Sequence, residues 1–356
     1  MPAAKTKAAK ASPASVTDLS TELLNGVLEE CGDEAGAQLL GSDGLSLKIR
    51  GVISTQNVEI DAAIGRGGVP LGRLTIIHGS EGSGKTTLAL HLVAEVQAMG
   101  GIAVYMDKEY KLDPEYASSL GVDTSKLIIS QPDYLEQIFK LMDSVVKRAA
   151  AIREKHNRRV PILVVLDSMN SCITKEMFEA EYGKREMAGV ARVMSGNLPK
   201  LMPLVFKEDV ALVFISQVRL KMNVMFGDDE EMAGGKAPKH CASLILHVKR
   251  LGAEREGEIK VGNKVRVEAK KNQIAPPFRR AEASIRYGKG FDKEAALLSR
   301  GVALELISKE GNTYAWKGEK LGIGEGNAIK AIRKSETFRS EIVAAISAKE
   351  AWNRVE

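Results

Sequence analysis

The chain has 356 residues, of which 44% are hydrophobic and 27% charged, and it carries a net charge of +5. These are ordinary globular values, and the length indicates one large domain with a smaller one. Because no apolar run approaches the ~18 residues of a membrane helix and the chain has no signal-peptide core, the sequence predicts a soluble, cytoplasmic protein.

The charged side chains are unevenly distributed. Residues 1–17 contain three lysines and no acid, and residues 236–289 contain 14 basic and 5 acidic side chains, for a net charge of +9. Such a block suits a face that binds a polyanion, but it also suits the solvated face of a hairpin, and charge alone favours neither. The cysteines lie far apart, which indicates neither a disulfide framework nor a zinc site. They are Cys31, Cys172 and Cys241.

The N-terminal part is predicted to pass from disorder into helix. Residues 1–17 are rich in Ala, Lys, Ser and Pro and have almost no apolar side chain to bury, which predicts a disordered basic arm. Residues 18–40 form a predicted helical segment, because Leu19, Leu23 and Val27 recur at helical spacing.

Residues 79–86 read GSEGSGKT, which fits the spacing of a phosphate-binding P-loop. A β-rich apolar segment precedes them and an apolar helical pattern follows, so this is not merely a glycine-rich turn. Glycines let backbone N–H groups turn toward phosphates, Lys85 reaches the β- and γ-phosphates, and the Thr86 hydroxyl binds Mg²⁺. The sequence therefore predicts ATP and Mg²⁺ binding. The predicted nucleotide-binding residues here are Gly79, Ser80, Glu81, Gly82, Ser83, Gly84, Lys85, Thr86 and Thr87.

Apolar strands and amphipathic helices alternate along the chain around this loop. The predicted strands are residues 45–53, 73–78, 102–106, 127–129, 161–166 and 210–215, and the predicted helices are residues 58–64, 113–120, 135–152 and 187–206. This alternation predicts a doubly wound α/β domain with a mostly parallel central sheet. Ligands of such sheets bind at the carboxyl ends of strands, and Glu109, Asp167 and Gln217 each follow such an end.

Carboxylates in these positions suit metal binding and hydrolysis. Asp167 is predicted to hold Mg²⁺ through a water, with Thr86 as the second protein ligand, although an aspartate there could instead cap the following turn. Hydrolysis also needs a carboxylate that orients or deprotonates water, and Asp107, Glu109 and Asp113 remain alternatives for that role.

The chain beyond Gln217 has a different character. Gln217 is placed to sense a γ-phosphate or, alternatively, to pair with the sheet edge. Residues 219–240 are polar and lack periodicity, which predicts a long loop that such a sensor could order with ATP. The core is predicted to cover residues 41–290, and a small α/β domain residues 291–356. Three further strands are predicted, at residues 243–251, 264–271 and 283–287.

Several separate motifs together resemble the RecA family of DNA strand-exchange recombinases, in its bacterial members and their phage relatives. The P-loop alone would suit any P-loop ATPase, whereas the ordered set is far more specific. The motifs are GSEGSGKTTL (79–88), MDKE (106–109), LDPEY (112–116), SQPD (130–133), VLDS (165–168), ISQVR (215–219), MFG (225–227), GG (234–235) and KNQIAPPF (271–278).

The resemblance implies roles for individual residues of the nucleotide site. Glu109 matches the family's catalytic glutamate that activates water, and Gln217 matches its γ-phosphate sensor. Tyr116 matches the side chain that stacks on adenine, with Asp113 near the base edge. Lys271 matches a lysine that reaches the γ-phosphate from the adjacent protomer of a helical filament.

The resemblance also implies single-stranded and double-stranded DNA, further copies of the chain and loading mediators as partners. Two stretches, residues 179–190 and residues 219–240, are similar to the family's DNA-binding loops. The DNA-binding residues implied are Lys184, Arg185, Arg192, Arg219, Lys221, Gly234, Gly235 and Lys236.

Three features depart from the bacterial pattern. Gln273 stands where bacterial members usually have a second lysine, and His240 where they usually have a phenylalanine, so we expect ATPase activity or cooperativity to differ. The strongly acidic tail of many bacterial members is absent, so we expect DNA binding to be less restrained.

Rival functions share parts of this pattern. They are a hexameric helicase with the same core, a nucleotide or small-molecule kinase, and a regulatory protein that binds ATP as a structural ligand. The glutamate after the second core strand, the two loops and the paired glycines favour an ATP-dependent recombinase that acts in recombination and repair.

Overall fold

A computed structural model describes residues 16–32, 36–37, 49–183, 188–220 and 230–352. The chain divides into two units, Met1–Ile49 and Arg50–Glu356. In the first unit, helix α1 (Val16–Cys31) begins at Val16, so the last two residues of the predicted arm are helical. The rest of that arm lies outside the described residues. Leu19 and Leu23 of α1 are exposed.

The second unit contains a large central sheet and its covering helices. The first half of the unit comprises β1 (Val52–Ile53), α2 (Val58–Ile64), β2 (Val69–Pro70), β3 (Leu74–Gly79), α3 (Lys85–Ala98), β4 (Ile102–Asp107), α4 (Pro114–Ser119), β5 (Ile128–Ser130), α5 (Leu135–His156), β6 (Ile162–Asp167), a short 3-10 helix (Met169–Ser171), α6 (Lys175–Glu179) and α7 (Gly189–Lys207). The strand predicted at residues 45–53 is observed only at β1. Residues 49–51 are described but are not part of a strand, and residues 41–48 lie outside the described residues.

The second half begins with the last parallel strands, includes a small antiparallel sheet and ends in two helices. It comprises β7 (Val210–Leu220), β8 (Glu230–Met232), α8 (Lys236–Cys241), β9 (Ala242–Glu256), β10 (Ile259–Asn272), β11 (Arg280–Arg286), β12 (Gly290–Phe291), α9 (Lys293–Ala303), β13 (Ile307–Glu310), β14 (Thr313–Trp316), β15 (Glu319–Ile323), α10 (Glu325–Lys334) and α11 (Glu336–Lys349).

The central sheet has the strand order β12-β11-β10-β9-β3-β7-β6-β4-β5, and all pairs from β9 to β5 are parallel. The predicted mostly parallel α/β fold is therefore confirmed. Strand β3, which leads into the P-loop, lies between β7 and β9, with Gly79 beside Gln217. Asp107 likewise lies beside Asp167. Parallel pairing in this register brings the predicted site residues to one edge of the sheet.

Both faces of the central parallel strands β3, β6 and β7 are buried, which explains their continuously apolar sequences. Every residue of β6 is buried. Alternate side chains such as Leu74 and Ile76 pack into one hydrophobic cluster with α5 and α7, while α3 contacts β3, β4, β6 and β7. Each fully buried aliphatic side chain contributes about 1.5–3 kcal/mol. The packed core thus holds the strand ends in place.

The C-terminal part has a hydrophobic cluster that includes Trp316, Ile332 and Ile346 and also takes in Val58 and Ala62 of α2. Strands β13, β14 and β15 form its three-stranded antiparallel sheet. Among the helices that the structure describes, none is long and apolar enough to cross a membrane.

The prediction of one long loop over residues 219–240 was wrong in part. Strand β7 continues to Leu220, and β8 pairs antiparallel with its end, so that Val218 lies beside Met232. Helix α8 then follows directly. These pieces have three and six residues, which is too short for a periodic pattern, and β8 is paired with the backbone of β7. Residues 221–229 lie outside the described residues.

Candidate active site

The P-loop connects β3 to α3 at the carboxyl edge of the sheet. Its backbone needs glycine, because a Cβ on Gly79 would lie 2.1 Å from the Val248 carbonyl oxygen. Gly84 precedes α3 with φ +98° and Gly82 has φ +66°, both in the left-handed region that favours glycine. The Ser83 hydroxyl is buried and has no hydrogen-bond partner among the described residues. This glycine cradle with an unpartnered hydroxyl fits a phosphate ligand.

Lys85 begins α3 and turns back over the loop. Its Nζ donates to the Ser80 carbonyl oxygen at 2.7 Å, and the residue is only 7% exposed. Burial lowers the pKa of the Lys85 ammonium, and the nearby carboxylates of Asp167 and Glu109 oppose that shift. A buried ammonium beside the cradle supplies positive charge where it is weakly screened by water.

Asp167 and Thr86 form the oxygen pair expected of a magnesium site. The Thr86 hydroxyl donates to Asp167 Oδ2 at 2.9 Å, and the Tyr105 hydroxyl donates to the same oxygen at 2.7 Å. Burial raises the pKa of Asp167, against the effect of these two hydrogen bonds. A hydroxyl and a carboxylate at the end of the P-loop are the hard oxygen ligands that Mg²⁺ prefers, so the residues fit that ion.

Glu109 follows β4 and lies among donors from two neighbouring strand ends. Its Oε1 accepts from Ser168 Oγ at 2.6 Å and from Gln217 Nε2 at 3.1 Å, and its Oε2 accepts from Lys111 Nζ at 3.3 Å. Burial raises the pKa of Glu109, but hydrogen bonds from Ser168 and Lys111 outweigh it, so the pKa lies below its ordinary value. The carboxylate is held ionised.

The other two candidate carboxylates serve the backbone. Asp107 accepts from the N–H groups of Glu109 and Leu112, both at 3.1 Å. Asp113 is the N-cap of α4, where it accepts from the N–H groups of residues 115 and 116. The three carboxylates that sequence left as alternatives therefore differ in environment, and Glu109 is the one hydrogen-bonded to Gln217.

The main chain of Gln217 is held by a residue that sequence reasoning missed. Asn170, in the short 3-10 helix, accepts from the Gln217 N–H at 2.7 Å and donates to the Gln217 carbonyl oxygen at 3.2 Å. Asn170 also accepts from Ser216 Oγ at 3.3 Å, and Ser216 Oγ in turn accepts from the Ala233 N–H at 3.3 Å. These bonds join the end of β6, the end of β7 and the segment after β8.

Ser168 and Asn170 carried a usable sequence signal. Both follow Asp167 within three residues, at the carboxyl end of a buried strand. Asp167 was chosen because ligands of parallel sheets bind at the carboxyl ends of strands, and the same argument applies to Ser168 and Asn170. Tyr105 carried no such signal, because it lies inside an apolar strand and only the structure shows that its hydroxyl meets Asp167.

Tyr116 and Thr87 lie together beside the P-loop helix. Their hydroxyl oxygens are 2.9 Å apart. Burial raises the pKa of Tyr116, partly offset by the Thr87 hydrogen bond. The contact places the Tyr116 ring next to the first turn of α3.

His78, the residue of β3 directly before Gly79, stacks on His247 of β9. The two ring centroids are 4.6 Å apart with an interplanar angle of 14°. Burial lowers the pKa of His78 to about 3, and the charges of His247 and Lys270 add to that shift. The His78 ring is therefore neutral at neutral pH, and it links the P-loop strand to the antiparallel strands.

A model of the RecA N-terminal domain matches residues 24–292. The chain belongs to the RecA family. The protein RecA of Rhodococcus opacus is 42% identical over 298 residues, which cover 84% of this chain and 83% of the relative. The protein RecA of Mycolicibacterium smegmatis is 41% identical over 298 residues, which cover 84% of this chain and 82% of the relative. The crystal structure of the RadB recombinase aligns with this chain at a TM-score of 0.50 and 21% identity. The alignment covers 67% of this chain and 98% of the RadB chain, which shows a shared fold.

The predicted DNA-binding residues of this RecA-family chain are described only in part. Lys184, Arg185 and Lys221 lie outside the described residues. Arg192 is in the first turns of α7, where it pairs with Glu176 at 3.3 Å. Arg219 lies in β7 and Lys236 begins α8.

Gly234 and Gly235 precede α8 with φ +86° and +75°. A Cβ on Gly235 would lie 2.8 Å from the Cβ of Ala191 in α7. The end of the second predicted loop therefore lies against the start of α7, which follows the first predicted loop. The C-terminal ends of the two predicted loops therefore lie next to each other.

Lys271, which the RecA-family resemblance assigns to a neighbouring nucleotide, has a place within its own chain. Its Nζ donates to the carbonyl oxygens of Lys239 at 2.8 Å and His240 at 3.1 Å. Those carbonyls are in the last turn of α8, which a cation stabilises. Burial lowers the pKa of Lys271, and Cys241 opposes the shift.

Proposed function

We propose that this RecA-family protein is an ATP-dependent recombinase that forms helical filaments on single-stranded DNA and exchanges strands with homologous duplex DNA. One observation carries the proposal furthest. The Glu109 carboxylate accepts from Gln217 Nε2 at 3.1 Å, at the same sheet edge as the P-loop. A hydrolytic carboxylate joined to the strand that leads into a DNA-binding loop suits an ATPase that DNA controls.

In this proposal each part of the site has one task. The glycine cradle and Lys85 hold the phosphates of ATP, and Thr86 and Asp167 hold Mg²⁺, which when bound neutralises phosphate charge. Glu109 orients and deprotonates the attacking water, and its lowered pKa keeps it ionised for that role. Tyr116 provides a surface for the base beside α3.

Gln217 is the proposed link between ATP and DNA. A γ-phosphate offers its amide an alternative acceptor to Glu109, which would shift the hydrogen bonds at the end of β7. The segment that follows includes the second predicted loop. We infer that ATP orders this loop and the adjacent first loop on DNA, through contacts to phosphates that are independent of sequence and sensitive to salt.

Filament assembly is proposed to complete the nucleotide site. Lys271 would exchange its α8 carbonyl partners for the γ-phosphate held by a neighbouring protomer, in the manner of a cation supplied in trans. Gln273 would then leave a weaker contact than a second lysine. We place the protein in the cytoplasm with the nucleoid, or in the host cytoplasm for a viral chain, because its DNA substrates lie there.

The test combines hydrolysis with imaging. We expect ATP hydrolysis to rise at least tenfold with single-stranded DNA, filaments to form with a non-hydrolysable ATP analogue, and labelled strands to exchange between homologous duplexes. Rings in the electron microscope with DNA unwinding would favour a hexameric helicase. Phosphate transfer to a small molecule without DNA would favour a kinase, and ATP binding without hydrolysis a regulatory protein.

A further inference from the structure

A small cavity opens at the opposite edge of the central sheet, where β3, β6 and β7 begin. Its volume is about 60 Å³, or two waters at the ~30 Å³ that each takes up in the liquid. Its apolar lining comes from Leu71, Ala149, Val160 and Pro161. The cavity is large enough for the end of one aliphatic side chain.

Three arginines surround this cavity, and each already binds a carboxylate. Arg153 pairs with Glu208 at 2.7 Å, while Arg50 and Arg159 both pair with Asp209. One carboxylate thus serves two guanidinium groups, and a guanidinium carries five N–H donors. Donors remain on the arginines for a further carboxylate.

The chain next to the cavity adds more positive charge. Residues 147–159 contain six basic side chains, two of which are the cavity arginines Arg153 and Arg159, and one acidic side chain, for a net charge of +5. Arg148, Lys155 and Arg158 are exposed, and no ion pair to any of them occurs among the described residues. Helix α5 ends at His156, so Arg158 lies beyond the last turn, where cations compensate the helix dipole.

We propose that this arginine-rimmed cavity binds an acidic peptide segment of a partner protein, with one aliphatic side chain in the cavity and flanking carboxylates on the arginines. Arginine forks match planar carboxylates in bidentate geometry. A nucleic acid fits less well, because the apolar lining would gain no partner from a phosphate backbone. The site lies at the other edge of the sheet from the P-loop and is independent of the proposed ATPase.

The probe is a fluorescein-labelled octapeptide with seven acidic residues and a central leucine, and its twin has glycine in place of leucine. Anisotropy at about 50 mM salt should give a Kd for the full-length protein that is about tenfold lower for the leucine peptide. The double variant Arg158→Gln/Arg159→Gln should raise that Kd at least fivefold. The matched double variant Lys330→Gln/Lys334→Gln, on exposed lysines of α10, should leave it within twofold.

A second variant tests the cavity itself. Ala149→Val fills part of the space, so the leucine and glycine peptides should then bind equally, while ATP hydrolysis and circular dichroism report an intact fold. The proposal is overturned if the wild-type protein binds neither peptide, or binds both equally, or if the arginine variant leaves the Kd unchanged. It is also overturned if that variant weakens binding of a labelled 20-base-pair duplex and not of the peptide.

Discussion

The two edges of the central sheet handle charge in opposite ways. At the carboxyl edge, Lys85 is 7% exposed and Asp167 8% exposed, and Glu109 is fixed by hydrogen bonds from Ser168 and Gln217. At the amino edge, the cation is the open partner: the side chain of Arg159 is 54% exposed, whereas that of Asp209 is 15% exposed. Buried charges respond to each other strongly, whereas exposed pairs are screened by water.

This difference suits the carboxyl edge to hydrolysis and the amino edge to binding a partner. Hydrolysis needs groups whose protonation and position are set before the substrate arrives, and burial provides both. Reversible binding of a charged partner needs accessible donors instead. If this contrast is correct, substitutions at the carboxyl edge change ATP hydrolysis steeply, and those at the amino edge leave it almost unchanged.

The largest effect is expected from Glu109→Gln. The amide keeps the size and the possible hydrogen bond from Ser168 but cannot take a proton from water, so kcat for ATP hydrolysis should fall by about 10²- to 10⁴-fold. The measurement is steady-state ATPase with saturating single-stranded DNA, alongside ATP binding, which should persist. The matched control is Glu310→Gln, an exposed glutamate at the end of β13, which should change kcat less than about threefold. Equal losses in the two variants would contradict the assignment of Glu109.

A smaller effect is expected from Asn170→Ala. Gln217 would lose both main-chain hydrogen bonds to Asn170, and a buried N–H left unsatisfied costs about 1–3 kcal/mol. DNA-stimulated hydrolysis should therefore fall about tenfold, while hydrolysis without DNA and the KM for ATP stay within about twofold. Asn170→Asp keeps the acceptor and should recover part of the stimulation. The control is Asn197→Ala, which removes an amide that donates to a carbonyl within α7.

A purely structural role for Asn170 would give a different result. It would lower the rates with and without DNA in the same proportion, together with the unfolding temperature. That outcome would remove Asn170 from the link between the two loops and the nucleotide.

The fold was largely predictable from sequence because its determinants are local. The buried run in β6 and the glycines of the P-loop identify their elements directly. Gly79 lies beside Gln217 and Asp107 beside Asp167, because parallel strands align their carboxyl ends. Strand β8 was not predictable, since its three residues are ordered by the end of β7.

The residues of the candidate site could be predicted as residues at strand ends, but the hydrogen bonds between them could not. Sequence left three carboxylates open, because only the fold shows that Asp107 and Asp113 bind backbone N–H groups. The sequence did not predict the ion pairs at the amino edge, because Arg50, Arg153 and Asp209 come from distant parts of the chain. Contacts between such distant residues leave no periodic pattern.

The pH profile of hydrolysis offers a finer test of the carboxyl edge. The pKa of Glu109 lies below its ordinary value, so the carboxylate stays ionised, and activity persists, until the pH falls below that lowered pKa. Ser168→Ala removes one hydrogen bond that lowers the pKa, so the acidic limb of kcat should move to higher pH, with a loss of a few-fold near pH 5. Ser168→Thr should restore the profile, and Ser195→Ala, on the exposed side of α7, should leave it unchanged. A limb that does not move would show that Ser168 does not tune Glu109.

The smallest effect is expected at the amino edge, from a double-mutant cycle on Arg153 and Glu208. The pair is 2.7 Å apart, with 29% of the Arg153 side chain and 8% of the Glu208 side chain exposed. Water therefore still reaches the arginine, and the coupling free energy from urea unfolding of Arg153→Ala, Glu208→Ala and the double variant should be about 1 kcal/mol or less. ATP hydrolysis should stay within twofold in all three variants. A coupling of several kcal/mol, or a tenfold change in hydrolysis, would mean that this edge is tied to the chemistry across the sheet, because only a rigid connection through the buried strands could transmit it.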